Sequence, residues 1–311
     1  MKTVLVSGCC GFIGQNLVYK LVENYNVIGI DNFFSSNKSI LKKFDNYNNF
    51  KFIEGDICEK INTQYKVDII YNLACPASPP RYKSDPIFTL KTNFFGTLNL
   101  LELAKKNNSI FIQASTSEIY GDPEIHPQVE SYRGNVNTIG VRSCYDEGKR
   151  IAETLCYEYR NIYDVQTRIL RIFNTYGPGM DIDDGRVISN FMVNSIEKKP
   201  LNIYGDGSQT RSFCYVDDLV NGLIRAIDID FSDPINLGND NEISLKKLSS
   251  KFIDKFQAKK IIYSELSEDD PKLRKPDITK AKKILNWKPV TDLDDGLQRT
   301  FNYFKNILQD E

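Results

Sequence analysis

Histidine is almost absent from this sequence, because His126 is the only one among 311 residues. It lies in a segment that also holds Pro123 and Pro127, so we expect a loop residue there rather than a member of a site. Imidazole is the usual side chain for proton transfer near neutral pH. Acid/base or nucleophilic schemes that depend on histidine are therefore poorly supported.

The sequence also lacks an excess of charge of either sign. The sequence has 40 lysines and arginines and 41 aspartates and glutamates, so its formal net charge is −1. This balance argues against a protein that binds nucleic acid or a membrane surface. There is no apolar run of the length that crosses a bilayer, and Met1-Lys2 leads directly into a short apolar stretch. We therefore expect a soluble cytoplasmic protein without a signal peptide, whose partners are small molecules.

Cysteines are present but show no ordered spacing. Their number is odd, and they are scattered along the chain. This distribution favours reduced thiols over a disulfide framework, and we expect no metal site. The seven cysteines are Cys9, Cys10, Cys58, Cys75, Cys144, Cys156 and Cys214.

Apolar runs of strand length alternate with helical patterns through the first half of the chain. This alternation favours an α/β fold with a doubly wound parallel sheet of the Rossmann type. The predicted strands are 3–7, 27–30, 50–57, 67–74, 110–114 and 167–173. We predict a Rossmann domain at 1–177 and a second, smaller α/β domain at 178–311, with the segment at about 207–240 a candidate for returning to the first sheet.

A glycine-rich turn follows the first predicted strand. Gly8, Gly11 and Gly14 stand between that strand and a helical pattern, which permits a tight turn and brings bare backbone against a pyrophosphate. The helix that begins there would direct its amides at the phosphates. A turn of packing value alone is the alternative, and the strand-turn-helix context argues against it.

The second predicted strand ends in a carboxylate, Asp31. A carboxylate there accepts hydrogen bonds from the adenosine ribose, and it would repel a 2′-phosphate by up to about 4 kcal/mol at 4 Å. The cofactor is therefore predicted to be NAD rather than NADP. Asp56, at the end of the third strand, is either an adenine contact or a solvated strand end.

Tyr145 and Lys149 lie one helical turn apart, on one face of a predicted helix. A phenol loses its proton near pH 10, so a base at neutral pH needs a nearby cation that lowers its pKa by about three units, or roughly 4 kcal/mol. Lys149 could supply part of this, and a nicotinamide ring more. The alternative is an ordinary helix with a half-buried tyrosine and an exposed lysine.

The helix predicted from Asp85-Pro86 to about Lys106 carries two apolar stripes. One sheet cannot cover both stripes. We expect the second stripe to form a dimer interface with the helix near 144–164, with burial under the smaller domain as the alternative. The two stripes are Ile87, Leu90, Phe94, Leu98 and Leu101, and Phe88, Phe95 and Leu103.

Several longer motifs carry a resemblance to a known family. The glycine turn, Asp31, Asn93 and the Tyr145/Lys149 pair resemble the extended short-chain dehydrogenase/reductases that modify nucleotide sugars. Within them the chain is similar to the UDP-glucuronate decarboxylases over essentially its whole length. The motifs are 76–80 (PASPP), 115–123 (STSEIYGDP), 144–150 (CYDEGKR), 184–191 (DGRVISNF), Asp269-Asp270-Pro271 and 274–277 (RKPD).

The resemblance implies a reaction that needs no metal. Tyr145, assisted by Lys149 and Thr116, takes the proton of the sugar 4-hydroxyl while hydride passes to NAD. The resulting ketone lies β to the C5 carboxylate, so carbon dioxide can leave, and the enolate that remains is protonated where the carboxylate was. Reduction of the ketone by the bound cofactor then gives UDP-xylose and regenerates NAD.

The resemblance also implies a set of site residues. The catalytic set is Tyr145, Lys149, Thr116, Ser117, Glu118 and Arg211, of which Ser117, Glu118 and Arg211 would orient the carboxylate and handle protonation. The NAD-binding set adds Gly8, Gly11, Phe12, Ile13, Gly14, Asp31, Asn32, Asp56, Ile57, Leu73, Ala74 and Asn93. The set for UDP-glucuronate is Pro79, Tyr82, Asn174, Arg186, Asn190, Tyr204, Gln209, Arg211 and Arg274, in which Tyr82 lies near the sugar acid and Arg274 belongs to the UDP end.

Three other functions stay open on the same scaffold. A nucleotide-sugar 4,6-dehydratase must expel hydroxide, and its family places an aspartic acid where this chain has Ser117, which favours decarboxylation. A UDP-sugar 4-epimerase would use the same oxidation, and a catalytically silent NAD-sensing regulator would typically have lost the Tyr145/Lys149 pair.

The chain departs from the family pattern at a few positions. Ser7, Cys9-Cys10 and Cys75 are small residues in place of other small residues, which we expect to be harmless. Gly179 stands where related sequences often carry arginine. It removes a possible contact to an anion, so its effect on substrate affinity is open.

Overall fold

A computed structural model describes residues 1–61, 63–265 and 273–309. Asp269, Asp270 and Pro271, part of one motif above, lie outside the described residues. The strands are β1 (Thr3–Ser7), β2 (Asn26–Asp31), β3 (Phe50–Glu54), β4 (Ile69–Asn72), β5 (Ile110–Thr116), β6 (Thr167–Ile172), β7 (Thr175–Tyr176), β8 (Leu201–Tyr204), β9 (Thr210–Ser212), β10 (Cys214–Tyr215), β11 (Ile235–Leu237), β12 (Glu242–Ser244), β13 (Ile261–Ser264) and β14 (Leu273–Arg274).

Helices connect most of these strands. The α-helices are α1 (Phe12–Leu21), α2 (Pro79–Ser84), α3 (Pro86–Lys91), α4 (Thr97–Asn107), α5 (Ser143–Tyr163), α6 (Val187–Ile196), α7 (Val216–Arg225), α8 (Leu245–Phe256), α9 (Thr279–Ile284) and α10 (Leu293–Gln309). Two 3₁₀ helices, Lys38–Phe44 and Ser117–Tyr120, and one π-helix, Thr92–Gly96, complete the set in the described ranges.

The main sheet has seven strands in the order β11-β6-β5-β4-β1-β2-β3. Every neighbouring pair in it is parallel. The strand order reverses between β1 and β4, which is where ligands bind in open sheets of this kind. The predicted doubly wound Rossmann-type sheet is confirmed.

The two faces of the sheet pack into different cores. Val4 and Val6 of β1 belong to one cluster of buried residues, whereas Leu5, between them, belongs to the other. This alternation follows from the two-residue period of a strand, and burial of both faces explains the continuous apolar runs. The first cluster continues into the smaller lobe through Phe191 and Phe252.

The smaller lobe consists of short strand pairs and helices. β8 pairs with β13 in parallel, and β9 lies between β12 and β14 in a three-stranded sheet. β11 belongs to this half of the sequence but pairs with β6 at the edge of the main sheet, with Ile235 opposite Leu170. The domain boundary at 177/178 stays a prediction.

The predicted helix from Asp85-Pro86 to about Lys106 is a run of three segments. α3 and α4 flank the π-helix, which inserts one extra residue per turn and rotates the residues that follow it. Exposed side chains therefore come from both predicted stripes, with Ile87 at 61% and Phe95 at 47% exposure. Leu101 and Leu103 are buried on the sheet.

Among the described residues, no helix combines the length and the apolar character that crossing a membrane requires.

Candidate active site

A large cavity opens at the carboxyl ends of the central strands, where the strand order reverses. Its volume is about 1280 Å³, and it extends between the main sheet and the smaller lobe. All six predicted catalytic residues and all nine predicted substrate residues line it. Of the predicted cofactor residues, Gly8, Gly11, Phe12, Ile13, Gly14 and Leu73 also line it.

The glycine turn forms the wall at the end of β1. Gly8 has a φ of 68°, and a Cβ there would lie 2.9 Å from the backbone of Ala74 on the neighbouring strand segment. A Cβ on Gly14 would overlap the carbonyl oxygen of Gly8. No side chain caps the start of α1, so its first amides are left facing the cavity. This bare, uncapped turn fits the pyrophosphate of a dinucleotide.

The Asp31 carboxylate already accepts several hydrogen bonds from the chain itself, which the sequence does not indicate. Its carboxylate accepts hydrogen bonds from the amide of Cys10 at 2.9 Å, the amide of Phe33 at 2.9 Å and the hydroxyl of Ser36 at 3.0 Å. The residue is buried and does not line the cavity, although Phe33 and Ser36 do. Since a carboxylate has about four acceptor positions, room for one ribose hydroxyl is left.

Five more predicted cofactor residues do not line the cavity either. Asn32 donates to Asp56 at 3.2 Å, and Asp56 accepts from the amide of Cys58. Ile57 is buried in the core, and Asn93 donates to the carbonyl of Thr89 and to the sulfur of Cys75. Asp31, Asn32, Asp56, Ile57, Ala74 and Asn93 therefore lie behind the cavity wall, and their contact with the cofactor stays a prediction.

The ligand atoms of Cys9, Cys10 and Asp31 lie within 4.8 Å of one another. The two sulfurs are 3.7 Å apart, and the hydrogen bond between them, with burial, raises the pKa of the Cys9 thiol. A protonated thiol is a poor metal ligand. All seven cysteines are unpaired.

Tyr145 and Lys149 lie together at the floor of the cavity, both on α5 and both buried. The Lys149 ammonium is 5.9 Å from the centroid of the Tyr145 ring, but it donates to the carbonyl of Ala114 at 2.9 Å. Burial raises the pKa of the Tyr145 phenol, and the hydrogen bond with Thr116 only partly offsets this. In the chain without cofactor, burial therefore outweighs the groups that lower the pKa of this phenol, and the contribution predicted for Lys149 stays a prediction.

Glu118 lies beside this pair and is held by arginines. The Arg142 guanidinium is 2.6 Å from one carboxylate oxygen, and the Arg274 guanidinium contacts the other. Burial on its own would raise the pKa of Glu118, but Arg274, Arg142 and Arg211 lower it to about 2. The arginines therefore favour the ionised form of Glu118, which is a hydrogen-bond acceptor rather than a proton donor.

The Arg274 guanidinium is directed at Glu118, which its Nη1 contacts. The role at the UDP end that the resemblance implies for Arg274 stays a prediction. Its Nη2 is buried and has no hydrogen-bond partner among the described residues. This leaves a donor available for a second anion close to Tyr145.

The remaining predicted substrate residues line the cavity with partners of their own. Arg186 makes a two-pronged pair with Asp184, at 2.5 and 2.7 Å. Asn190 donates to the carbonyl of Gly185 and Gln209 to that of Tyr204. Pro79 and Asn174 also face the cavity.

Arg142 was missed by sequence reasoning. It lines the cavity and holds Glu118, and its position three residues before Tyr145 is the signal that could have indicated it. Lys43 also lines the cavity, on a 3₁₀ helix that the sequence pattern did not predict, and donates to Gln15 at 2.7 Å. Gln15 in turn donates to the carbonyl of Gly179 at 3.2 Å. The Lys43 ammonium is therefore linked through Gln15 to the side of the cavity at Gly179, although Lys43 comes from a different segment of the chain.

The parallel sheet, the uncapped glycine turn and the buried tyrosine and lysine on one helix define an extended short-chain dehydrogenase/reductase. The chain belongs to the GDP-mannose 4,6 dehydratase family, which matches residues 5–300, and within it to the UDP-glucuronic acid decarboxylases. It is 48% identical to UDP-glucuronic acid decarboxylase 1 of Xenopus tropicalis, over 99% of this chain and 73% of that protein. It is 51% identical to UDP-glucuronic acid decarboxylase 5 of Arabidopsis thaliana, over 94% and 86%.

Three solved structures with the same architecture have lower sequence identity to this chain than these two relatives. UDP-glucose 4-epimerase of Thermotoga maritima superposes with a TM-score of 0.91 at 29% identity, over 98% of this chain and 99% of that one. UDP-glucuronic acid 4-epimerase of Bacillus cereus, solved with UDP-glucuronic acid and NAD, has a TM-score of 0.87 at 29% identity over the same shares. dTDP-glucose 4,6-dehydratase of Bacillus anthracis, solved with NAD, gives 0.87 at 26% identity, over 98% and 97%.

Proposed function

We propose that the protein decarboxylates UDP-glucuronate to UDP-xylose through a 4-keto sugar, with NAD as a cofactor that is regenerated in each cycle. The curated relatives at about 50% identity are decarboxylases, whereas the epimerases and dehydratases are near 29% and 26%. The structural observation that favours this reaction over 4,6-dehydration is the Glu118 carboxylate held between Arg142 and Arg274.

NAD binding is assigned to the turn between β1 and α1. Gly8, Gly11 and Gly14 leave space for the pyrophosphate, and the start of α1 offers its amides. Asp31 has one acceptor position left for a ribose hydroxyl, and it disfavours the 2′-phosphate of NADP. When bound, NAD supplies the hydride acceptor for the sugar C4 and a positive charge beside the phenol.

Tyr145 is assigned the proton transfer at the sugar 4-hydroxyl. Its phenol lies in the cavity, and the hydrogen bond with Thr116 and the charge of Arg186 both act to lower its pKa against the effect of burial. Lys149 holds the carbonyl of Ala114, the residue two before Thr116, and so fixes the end of β5 beside the phenol. In this assignment Lys149 both orients the site and adds positive charge to it.

The sugar carboxylate is assigned to the arginine-rich part of the cavity. Four guanidinium groups, on Arg142, Arg186, Arg211 and Arg274, line this part of the cavity, where Glu118 contacts Arg142 and Arg274 and Asp184 pairs with Arg186. The free Nη2 of Arg274 and the hydroxyl of Tyr82 both lack a partner among the described residues. Both are suited to hold a carboxylate next to C4, and a ketone β to that carboxylate then allows carbon dioxide to leave.

The ionised Glu118 argues against 4,6-dehydration. That reaction needs a proton donor for the departing hydroxide, and neither the Ser117 hydroxyl nor a carboxylate with a pKa of about 2 can provide one at neutral pH. In decarboxylation, carbon dioxide leaves without a proton donor, and the enolate that remains takes up a proton at C5 in a separate step. A UDP-sugar 4-epimerase is the second candidate, because the Bacillus cereus epimerase has this architecture and was solved with UDP-glucuronic acid.

Product analysis separates these candidates. The purified protein with NAD and UDP-glucuronate should release carbon dioxide and give a product lighter by the mass of one carbon dioxide in mass spectrometry. An epimerase would leave the mass unchanged and alter the sugar NMR spectrum at C4. Unreacted substrate after long incubation with folded, NAD-bound protein would contradict both proposals.

We also propose a homodimer in the cytoplasm. Ile87 and Phe95, on α3 and the π-helix, are largely exposed, as is Ile162 on the adjacent α5 at 62%. Such an apolar surface over two neighbouring helices is suited to a second copy of the chain. The seven unpaired cysteines are in keeping with a reducing compartment.

A further inference from the structure

We propose that Gln128 is a positioning residue for decarboxylation, because it fixes the segment that places Arg274 on Glu118. The inference rests on the proposed function and deepens it. Gln128 does not line the cavity, and it acts through Arg274 rather than on the substrate.

Gln128 clamps the chain on the far side of Arg274. Its amide donates to the carbonyl of Lys275 at 2.8 Å, and its side-chain oxygen accepts from the amide of Lys275, also at 2.8 Å. Its carbonyl accepts from the amide of Asp277 at 2.8 Å. The side-chain nitrogen donates to the carbonyl of Ile125 at 2.9 Å, and the residue is 1% exposed. The backbone and the side chain of Gln128 thus both hydrogen-bond to this segment, at Lys275 and Asp277.

The segment that Gln128 holds begins in a very short strand. Among the described strands, β14 lies at the edge of its sheet, where Arg274 pairs with Arg211 of β9 and its carbonyl accepts from the Ser212 hydroxyl at 3.4 Å. So short a strand pairing is marginal by itself, and contacts on the other side of the segment add to it. That other side is the contact with Gln128.

Gln128 is itself tied to the main sheet. Asn236 of β11 donates to the carbonyl of Gln128 at 3.0 Å and to that of Asp277 at 3.1 Å. The Asn236 side-chain oxygen accepts from the hydroxyl of Tyr120 at 2.8 Å, at the end of the turn that carries Glu118. Arg274 and Glu118 are therefore placed from one common anchor, even though they are 156 residues apart in sequence.

The amide side chain is matched to this position. It accepts from one backbone group and donates to another, so alanine would leave the Lys275 amide and the Ile125 carbonyl without their buried partners. Glutamate would keep the acceptor and lose the donor. We expect the Arg274 guanidinium to be displaced in the first case and loosened in the second.

A double-substitution cycle tests the proposal. Gln128→Ala should lower kcat for carbon dioxide release ten- to a hundredfold, the usual result of displacing a group by about 1 Å. The Kd for NAD should stay within twofold, because the glycine turn is untouched. In an Arg274→Lys background, which retains a cation, the further loss from Gln128→Ala should be at most twofold. If Gln128→Ala does not fold, Gln128→Glu replaces it in the same cycle with a smaller loss.

A matched control is Asn49→Ala. The Asn49 amide also clamps a loop, donating to the carbonyls of Val22 and Tyr25, but at the other edge of the sheet. It should leave kcat within twofold. A full additional loss from Gln128→Ala in the Arg274→Lys background, or an equal loss in Asn49→Ala, would overturn the proposal.

Amide hydrogen exchange gives a readout that needs no turnover. The amides of Lys275 and Asp277 should be protected in the unsubstituted protein and exchange faster in Gln128→Ala, with β1 and β4 unchanged. Rapid exchange at both amides in the unsubstituted protein would mean that the clamp does not exist. Absence of carbon dioxide release from NAD-bound protein would instead count against the proposed function, and the exchange result would still decide on the clamp.

Discussion

The ring of Tyr82 lies against the ring of Tyr145, with centroids 5.2 Å apart and planes 13° from parallel. Tyr82 is held in a segment stiffened by prolines, so the phenol proposed as the base is packed on a rigid neighbour. The Tyr82 hydroxyl is buried and without a hydrogen-bond partner among the described residues. A buried hydroxyl in that state is costly unless a ligand completes it.

Tyr82→Phe should separate these two features. The stack on Tyr145 is kept while the hydroxyl is lost, so we expect KM for UDP-glucuronate to rise about tenfold, as for one lost hydrogen bond to a charged group. Thermal stability without substrate should be unchanged or slightly higher. Steady-state kinetics and a melting curve measure both, and an unchanged KM would place the substrate away from Tyr82.

Tyr145→Phe should reduce turnover roughly a thousandfold, the range of a lost general base. NAD binding should persist, because the glycine turn and Asp31 are unaffected. Tyr159→Phe on the same helix is the control, since its hydroxyl contacts Glu102 and does not line the cavity. Turnover that survives in Tyr145→Phe would remove the proton-transfer assignment.

Glu118 should contribute to stability in a defined pH range. Its pKa falls from an ordinary value of 4.5 to about 2 in the folded protein, so the unfolded chain binds the proton first as pH falls. The contribution, about 3 kcal/mol at most, is therefore complete above pH 4.5 and lost between 4.5 and 2.

Glu118→Gln should remove this dependence. It should also destabilise the protein at pH 7, because Arg142 and Arg274 would lose a buried partner. Denaturant unfolding across pH 7 to 3 measures the difference between the two proteins. Parallel pH profiles for the two would show that the arginines do not hold Glu118 as described.

If the exposed apolar surface over α3, the π-helix and α5 is a dimer interface, charged side chains placed on it should convert the protein to a monomer. Phe95→Glu combined with Ile162→Glu should halve the mass measured by light scattering, because a dry contact does not accept two unpaired carboxylates. Val290→Glu, at a residue 75% exposed elsewhere, is the control. A monomeric unsubstituted protein at micromolar concentration would contradict the proposal.

The parts of the site that the sequence predicted are those that local chemistry decides. Gly8, Gly11 and Gly14 lie within one turn, and Tyr145 and Lys149 are a helical turn apart, so spacing alone places them. The sheet followed in the same way from strands buried on both faces.

The parts that could not be predicted depend on tertiary contacts. Arg274 and Glu118 are distant in sequence, so no local pattern indicates that they are in contact. The hydrogen bonds to the Asp31 carboxylate come from Phe33 and Ser36, in a turn whose sequence has no regular pattern. The π-helix at Thr92–Gly96 likewise mixes the two apolar stripes, because a periodicity of 3.6 residues does not anticipate an inserted residue.

The return of β11 to the main sheet means that the chain cannot be divided by a single cut. A fragment ending at residue 177 would expose the whole edge of β6, including the backbone groups that pair with Ile235 and Leu237, and such an open edge favours aggregation. Any change of sugar preference on this scaffold is therefore expected to come from exchange of individual loops rather than from swapping an entire half of the molecule.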